Sequence, residues 1–114
     1  MKWNIVYLPE AREDLAALDG SQRKLVRKMI EKTSENPLPV NQGGYGKPLG
    51  NKNGIDLTGF LKIKLRRMGL RVIYKLLRTE TQMLIVVIGL REENEAYKTA
   101  SLRIMKYHST EKDL

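Results

Sequence analysis

The chain contains no cysteine, so neither a disulfide nor a thiolate-bound metal can form. It has one histidine, His108, near the polar C-terminal end. A histidine-built metal site and a ribonuclease pair of two histidines are both excluded, and no cofactor is expected. No apolar run is long enough to span a bilayer. The opening Met1-Lys2-Trp3-Asn4-Ile5-Val6-Tyr7-Leu8-Pro9 is too short in its apolar part for a secretory signal and carries no cleavage site. The expected location is therefore cytoplasmic, away from membranes. No internal repeat, heptad run or low-complexity tract is present.

What the chain does have is positive charge. Its 114 residues carry a formal net charge of +8. That excess favours nucleic acid, an acidic protein partner or an anionic membrane surface. Length and ordinary apolar content fit one folded domain over 1–114 with a single core.

Hydrophobic periodicity orders the elements. Lys2 to Leu8 reads as a short strand. Pro9 suits the first position of a helix to about Leu18, with Ala11, Leu15 and Leu18 on one face. Asp19-Gly20-Ser21 ends it and caps a second helix, Gln22 to Ser34, which buries Leu25, Val26, Met29 and Ile30. The outer side of that helix carries Arg23, Lys24, Arg27, Lys28 and Lys32. Asn36 to Thr58 is rich in proline and glycine and reads as irregular through most of its length. Strands follow at Gly59 to Arg67, Leu70 to Arg78 and Gln82 to Gly89. Glu92 to Met105 patterns as a helix, and 106–114 as a frayed tail. The order is β-α-α-β-β-β-α: an α+β domain in which an antiparallel meander carries helices on one face.

Gly59 to Arg71 is the stretch on which function turns. Lys62, Lys64 and Arg66 alternate with Leu61, Ile63 and Leu65. Met68-Gly69 supplies a turn, and Arg71 follows on the next strand. Folded back antiparallel, the two strands set cations on one face, where like charges destabilise a sheet. A solvated surface explains any one of these residues alone. Arg91, where the central strand ends, and Tyr97, six residues on, change the weighing if the last helix packs across the sheet. Cleaving RNA without a metal requires a base for the ribose 2′-OH, cations on the phosphate and a proton for the leaving oxygen. With no histidine pair, tyrosine, lysine or arginine must manage the protons. A phenol with an ordinary pKa near ~10 reaches a useful range when cations stabilise its phenolate, and arginine clamps stabilise charge on the phosphate.

Two glycine and acid motifs point elsewhere and are set aside. Gly43-Gly44-Tyr45-Gly46-Lys47 fails the P-loop spacing, and Lys47 is followed by Pro48. Glu92, Glu93 and Glu95 suit the first turn of a helix better than a metal.

Lys62-Ile63-Lys64-Leu65-Arg66, Gly69, Arg71 and Tyr74, followed by Ile88-Gly89, Arg91-Glu92, Glu95 and Tyr97, resemble the RelE branch of the RelE/ParE toxin superfamily over about Trp3 to Ile104. The resemblance implies the RelE-like microbial ribonuclease fold. It also implies the toxin of a type II toxin–antitoxin pair: an mRNA interferase that cuts mRNA in the ribosomal A site, beside 16S ribosomal RNA, leaving a 2′,3′-cyclic phosphate. A small RelB-like antitoxin would wrap and silence it in a hetero-oligomeric complex. On that resemblance Lys62 and Lys64 flank the scissile phosphate and Arg71 holds it. Arg91 contacts the phosphate or assists the leaving oxygen, and Tyr97 attends the nucleophile or stacks on a base. Arg66 grips ribosomal RNA. The chain departs from the family in having no arginine in Gly50 to Phe60; Lys47 or Lys52 is the candidate replacement RNA contact. Two rivals stay open: a ParE-like gyrase inhibitor, which generally lacks the Lys-x-Lys pair with the late Arg and Tyr, and a non-catalytic basic RNA-binding module.

Overall fold

The structure, a computed structural model, describes residues 2–52, 55–90 and 93–112. Five strands form one mixed sheet in the order β1-β5-β4-β3-β2. They are β1 (Asn4–Tyr7), β2 (Lys47–Lys52), β3 (Ile55–Leu65), β4 (Leu70–Leu77) and β5 (Gln82–Leu90). The helices are α1 (Pro9–Ala16), α2 (Gly20–Thr33) and α3 (Glu93–Lys112). The expected α+β class and the β3-β4-β5 antiparallel meander are present. Strand β1 joins β5 in parallel, with Tyr7 beside Ile85. Among the described residues no helix is long and apolar enough to cross a membrane.

Local sequence explains the helical hairpin. Pro9 opens α1, and its missing N–H is lost where no intrahelical partner exists. Asp19 caps α2 with a full capping box: its Oδ1 accepts from the Gln22 N–H at 2.8 Å, and Gln22 Oε1 accepts from the Asp19 N–H at 3.3 Å.

Three expectations are corrected. Asn36 to Thr58 is not irregular throughout: Lys47–Lys52 is a strand paired antiparallel with β3, which itself starts at Ile55. Gly50, at φ 61, sits at a register shift in that pairing, so the ladder accommodates its glycine and Pro48 on an edge strand. The helices do not share one face. Leu61, Ile63, Leu65, Leu70, Val72 and Tyr74 turn to the face covered by α2 and the 36–46 loop, whereas Tyr97 of α3 meets Lys62 on the opposite face. Residues 106–112 are helix rather than a frayed tail. Tyr107 Oη donates to Glu10 Oε1 at 2.8 Å, tying α3 to the start of α1.

A second tie closes an open sheet edge. Strand β1 ends at Tyr7, leaving the upper part of β5 without a neighbouring strand. Asp14 Oδ2 of α1 accepts from the Ile88 N–H at 3.0 Å. Arg103 of α3 donates to the Val86 carbonyl at 2.8 Å and to Asp14 Oδ2 at 2.7 Å. Side chains thus take over the hydrogen bonds a sixth strand would have made, and a raw edge is covered.

Candidate functional site

Strand pairing assembles the cations. Lys64 lies directly opposite Arg71, and Lys62 directly opposite Lys47. Side chains of paired residues share a face, so Lys47, Lys62, Lys64 and Arg71 line one side of three adjacent strands. Ile73 and Val87 on that side are buried under α3, while Lys62, Lys64 and Arg71 are partly exposed at its rim. Gly89 lies opposite Arg71 on β5, so no side chain fills the sheet face next to the guanidinium.

Tyr97 reaches this face because α3 can approach closely. Ala96 and Ala100, its small neighbours, are buried against the sheet, and Tyr97 is only 2% exposed. Lys62 Nζ donates to Tyr97 Oη at 3.1 Å. The same ammonium is 5.8 Å from the ring centroid, at the limit of a useful cation–π distance. The bond to oxygen therefore governs the pair, and a cation beside a phenol oxygen stabilises negative charge there.

The β3–β4 turn differs from the expected two-residue connection. Strand β3 stops at Leu65; Arg66–Met68 form a turn of 3₁₀ helix, closed by Gly69 at φ 63. A side chain at that φ would be strained, which accounts for glycine here. Arg66 and Arg67 consequently leave the sheet and are exposed. Arg66 nevertheless helps line a cavity of about 240 Å³ with Lys64, Gly69 and Arg71. So Lys62, Lys64, Arg71 and Tyr97 come together, with Lys47 beside Lys62 and Arg66 at the lip. Lys52 is at the far end of β2, paired through its backbone with Ile55. Arg91 lies outside the described residues.

Sequence reasoning missed two groups of residues. The Asp14–Arg103 pair carries no motif, and its members are far apart in the chain. Tyr7, Arg12, Arg23 and Arg27 line a separate, larger cavity of about 430 Å³. The alternation of basic residues along α2 was visible in the sequence, but not that α1 and β1 close a cleft with it.

No family model matches the chain. The chain is similar to a putative RelE-like toxin protein of Escherichia coli, 26% identical over 104 residues, covering 91% of this chain and 99% of the relative. Among solved structures, a doubly substituted mutant of the E. coli toxin RelE in the free state superposes with a TM-score of 0.70 at 23% identity, covering 91% of this chain and 99% of that one. The RelBE2 toxin–antitoxin complex of Mycobacterium tuberculosis gives a TM-score of 0.63 at 25% identity, over 80% of this chain and 93% of that one. The fold is that of RelE, and the expected resemblance to RelE-like toxins is borne out.

Proposed function

Taking the RelE fold as premise, we propose that this chain is the toxin of a type II toxin–antitoxin pair and that it is an mRNA endonuclease acting on the ribosome. The observation that carries the reading is the Lys62–Tyr97 hydrogen bond beside the Lys64–Arg71 pair on one sheet face. The relatives named toxins and the complexes named toxin–antitoxin support the biological setting.

The chemistry is transesterification. The ribose 2′-OH loses its proton and O2′ attacks the adjacent phosphorus. The new P–O2′ bond forms as the P–O5′ bond breaks, giving a 2′,3′-cyclic phosphate and a 5′-oxygen that leaves with a proton. Tyr97 attends the 2′-OH, its oxygen held by the Lys62 ammonium. Lys64 and Arg71 face the non-bridging oxygens, where charge grows towards the transition state. Fixed cations at that point act on the transition state more than on the ground state. Arg91 is assigned to the phosphate or the leaving oxygen by the sequence resemblance alone. Lys47, set against Lys62, replaces the missing upstream arginine as the contact for the adjoining RNA.

An acidic antitoxin, disordered in part until bound, would cover the cationic face and silence it. The test is incubation of the purified protein with translating ribosomes and mapping of new mRNA ends, beside the same mRNA free in solution. Cleavage confined to programmed ribosomes, ending in 2′,3′-cyclic phosphate, supports the reading. Equal cleavage of free mRNA, or none on ribosomes, refutes it. Tyr97→Phe then probes the proton path: it keeps the ring and removes the hydroxyl, and a steep loss of single-turnover rate is expected.

A further inference from the structure

A cavity of about 430 Å³ lies between β1, α1 and α2. Tyr7, Arg12, Leu15, Ala16, Arg23 and Arg27 line it, and every charged side chain of that lining is cationic. Arg23 already has a structural task. Its Nε donates to the Leu15 carbonyl, and its Nη2 to those of Ala16 and Leu18, at 3.3, 3.3 and 2.8 Å. That ties the end of α1 to α2 and fixes the cavity wall. The Arg12 guanidinium stands 5.9 Å from the centre of the Tyr7 ring. Arg27 follows Arg23 by four residues, on the same side of α2.

The Tyr7 phenol completes the lining. Burial raises its pKa, against the opposing pull of Arg27 and Arg12, so it remains a neutral O–H donor at physiological pH. Glu31 also acts on Tyr7, but it does not line the cavity and is paired with Lys2 at 3.4 Å. Three arginines and a tyrosine therefore line the cavity, with no carboxylate in its lining. Their mutual repulsion works against the fold, and an anion with several acceptor oxygens relieves it. Forked guanidinium donors match a phosphate better than a single carboxylate lobe.

We propose that this cavity is a second phosphate-binding site, taking a phosphodiester of a folded RNA rather than of the strand to be cut. The proposal rests on the reading that the protein works against RNA on the ribosome. Its placement argues for a folded RNA. Tyr7 is on β1, separated from β3 by β5 and β4, about 14 Å across the sheet at ~4.8 Å per strand. It also faces the side opposite Lys62. The cavity thus lies on the other side of the sheet from a single strand seated at the cationic face. A folded RNA presents phosphates to both sides at once.

The test compares the parent protein with the double variant Arg12→Ala/Arg27→Ala, and with Arg27→Gln alone. All three keep Arg23 and its helix contacts. The first arm titrates inorganic phosphate against chloride at equal ionic strength, following by NMR the Arg23 side-chain Nε–H and Tyr7 ring resonances, which all three proteins have. Saturable, phosphate-selective shifts in the parent, absent in the double variant and weakened in Arg27→Gln, are expected. The second arm measures affinity for purified small ribosomal subunits across salt concentrations. Loss of one phosphate contact makes the log–log salt dependence shallower by about 1. Absence of a saturable phosphate response overturns the site. A phosphate response with unchanged subunit binding in the double variant overturns the assignment to RNA. So does loss of binding only to an acidic protein partner. If the parent itself fails to bind subunits, the function proposed above falls with the RNA assignment, and the phosphate titration still decides whether the cavity holds an anion.

Discussion

Two places in this molecule bring charged side chains from distant elements together, and they do so by opposite rules. At the β5 edge, Asp14 and Arg103 are of opposite sign, and each also satisfies a backbone group of the strand. At the β3–β4 face, Lys47, Lys62, Lys64 and Arg71 are of one sign and set against each other in register. The first arrangement completes a fold: it closes hydrogen bonds left open where β1 stops. The second opposes the fold, because like charges across a ladder repel. An arrangement of the second kind suits the binding of an outside anion.

The contrast is sharpest at Arg71. Arg71→Ala is expected to lower single-turnover cleavage at saturating ribosome by about 100- to 1000-fold, the effect typical of one lost donor to a developing oxyanion. A variant that folds, binds ribosomes and cuts at the parent rate would remove Arg71 from the site.

Asp14→Ala is expected to do the reverse. It strands the Ile88 N–H and leaves Arg103 without its carboxylate. Urea denaturation should show a loss of about 2 kcal/mol, in the range for hydrogen bonds to charged groups. The rate per folded molecule should stay near that of the parent. A fall in rate with unchanged stability would show that the two regions are not separable in this way.

A smaller effect is expected on the opposite face of the sheet. Tyr74 is fully buried and its Oη donates to the Pro37 carbonyl at 2.8 Å. Burial pushes its phenol well above the ordinary range. The unfolded chain therefore ionises first as pH rises. The contribution of Tyr74 is complete below an ordinary tyrosine pKa of ~10 and is lost progressively above it. Tyr74→Phe should cost about 1 kcal/mol at neutral pH, and its stability should fall less steeply above pH ~10. Parallel alkaline curves for the two proteins would rule this out.

The least effect is expected at the lip. Arg66 sits in the exposed turn, off the strand. Arg66→Ala should weaken ribosome binding and make its salt dependence shallower by about 1, with the chemical step nearly kept. A large loss of saturated rate would move Arg66 into the chemistry and blur the division between gripping and cutting.

The sequence carried these regions unequally. Period-2 alternation from Leu61 to Leu65 made β3 legible and put Lys62 and Lys64 on one face before any partner strand was known. The αα-hairpin was legible too, since Pro9 and Asp19 act within one turn of where they stand. Strand β2 was not: Pro48 and Gly50 argue against a strand, and only pairing with β3 together with the shift at Gly50 overrides that. The end of β3 was read too late because Arg66 continues the alternation, and nothing local shows that Gly69 closes a 3₁₀ turn. Placing α3 on the opposite face from the hairpin, and holding it with Arg103 and Tyr107, depends on contacts between residues some ninety positions apart. Local periodicity holds no information on these.

The base of the loop before β2 has a consequence for how this protein can change. Gly46 N–H donates to the Leu38 carbonyl at 3.0 Å, and the Gly46 carbonyl accepts from the Val40 N–H at 2.8 Å. A side chain on Gly46 would collide with the Tyr74 hydroxyl and Leu61, so the backbone is pinned there against the sheet. Lys47 follows at once, on the side of the cationic face. The exposed side chains of Val40, Asn41 and Tyr45 can therefore vary while Lys47 keeps its place opposite Lys62, whereas Gly44 cannot, because a side chain there would strike the Leu38 backbone. Variation in surface recognition is free to accumulate between two fixed stitches, and the chemistry of the far face does not feel it.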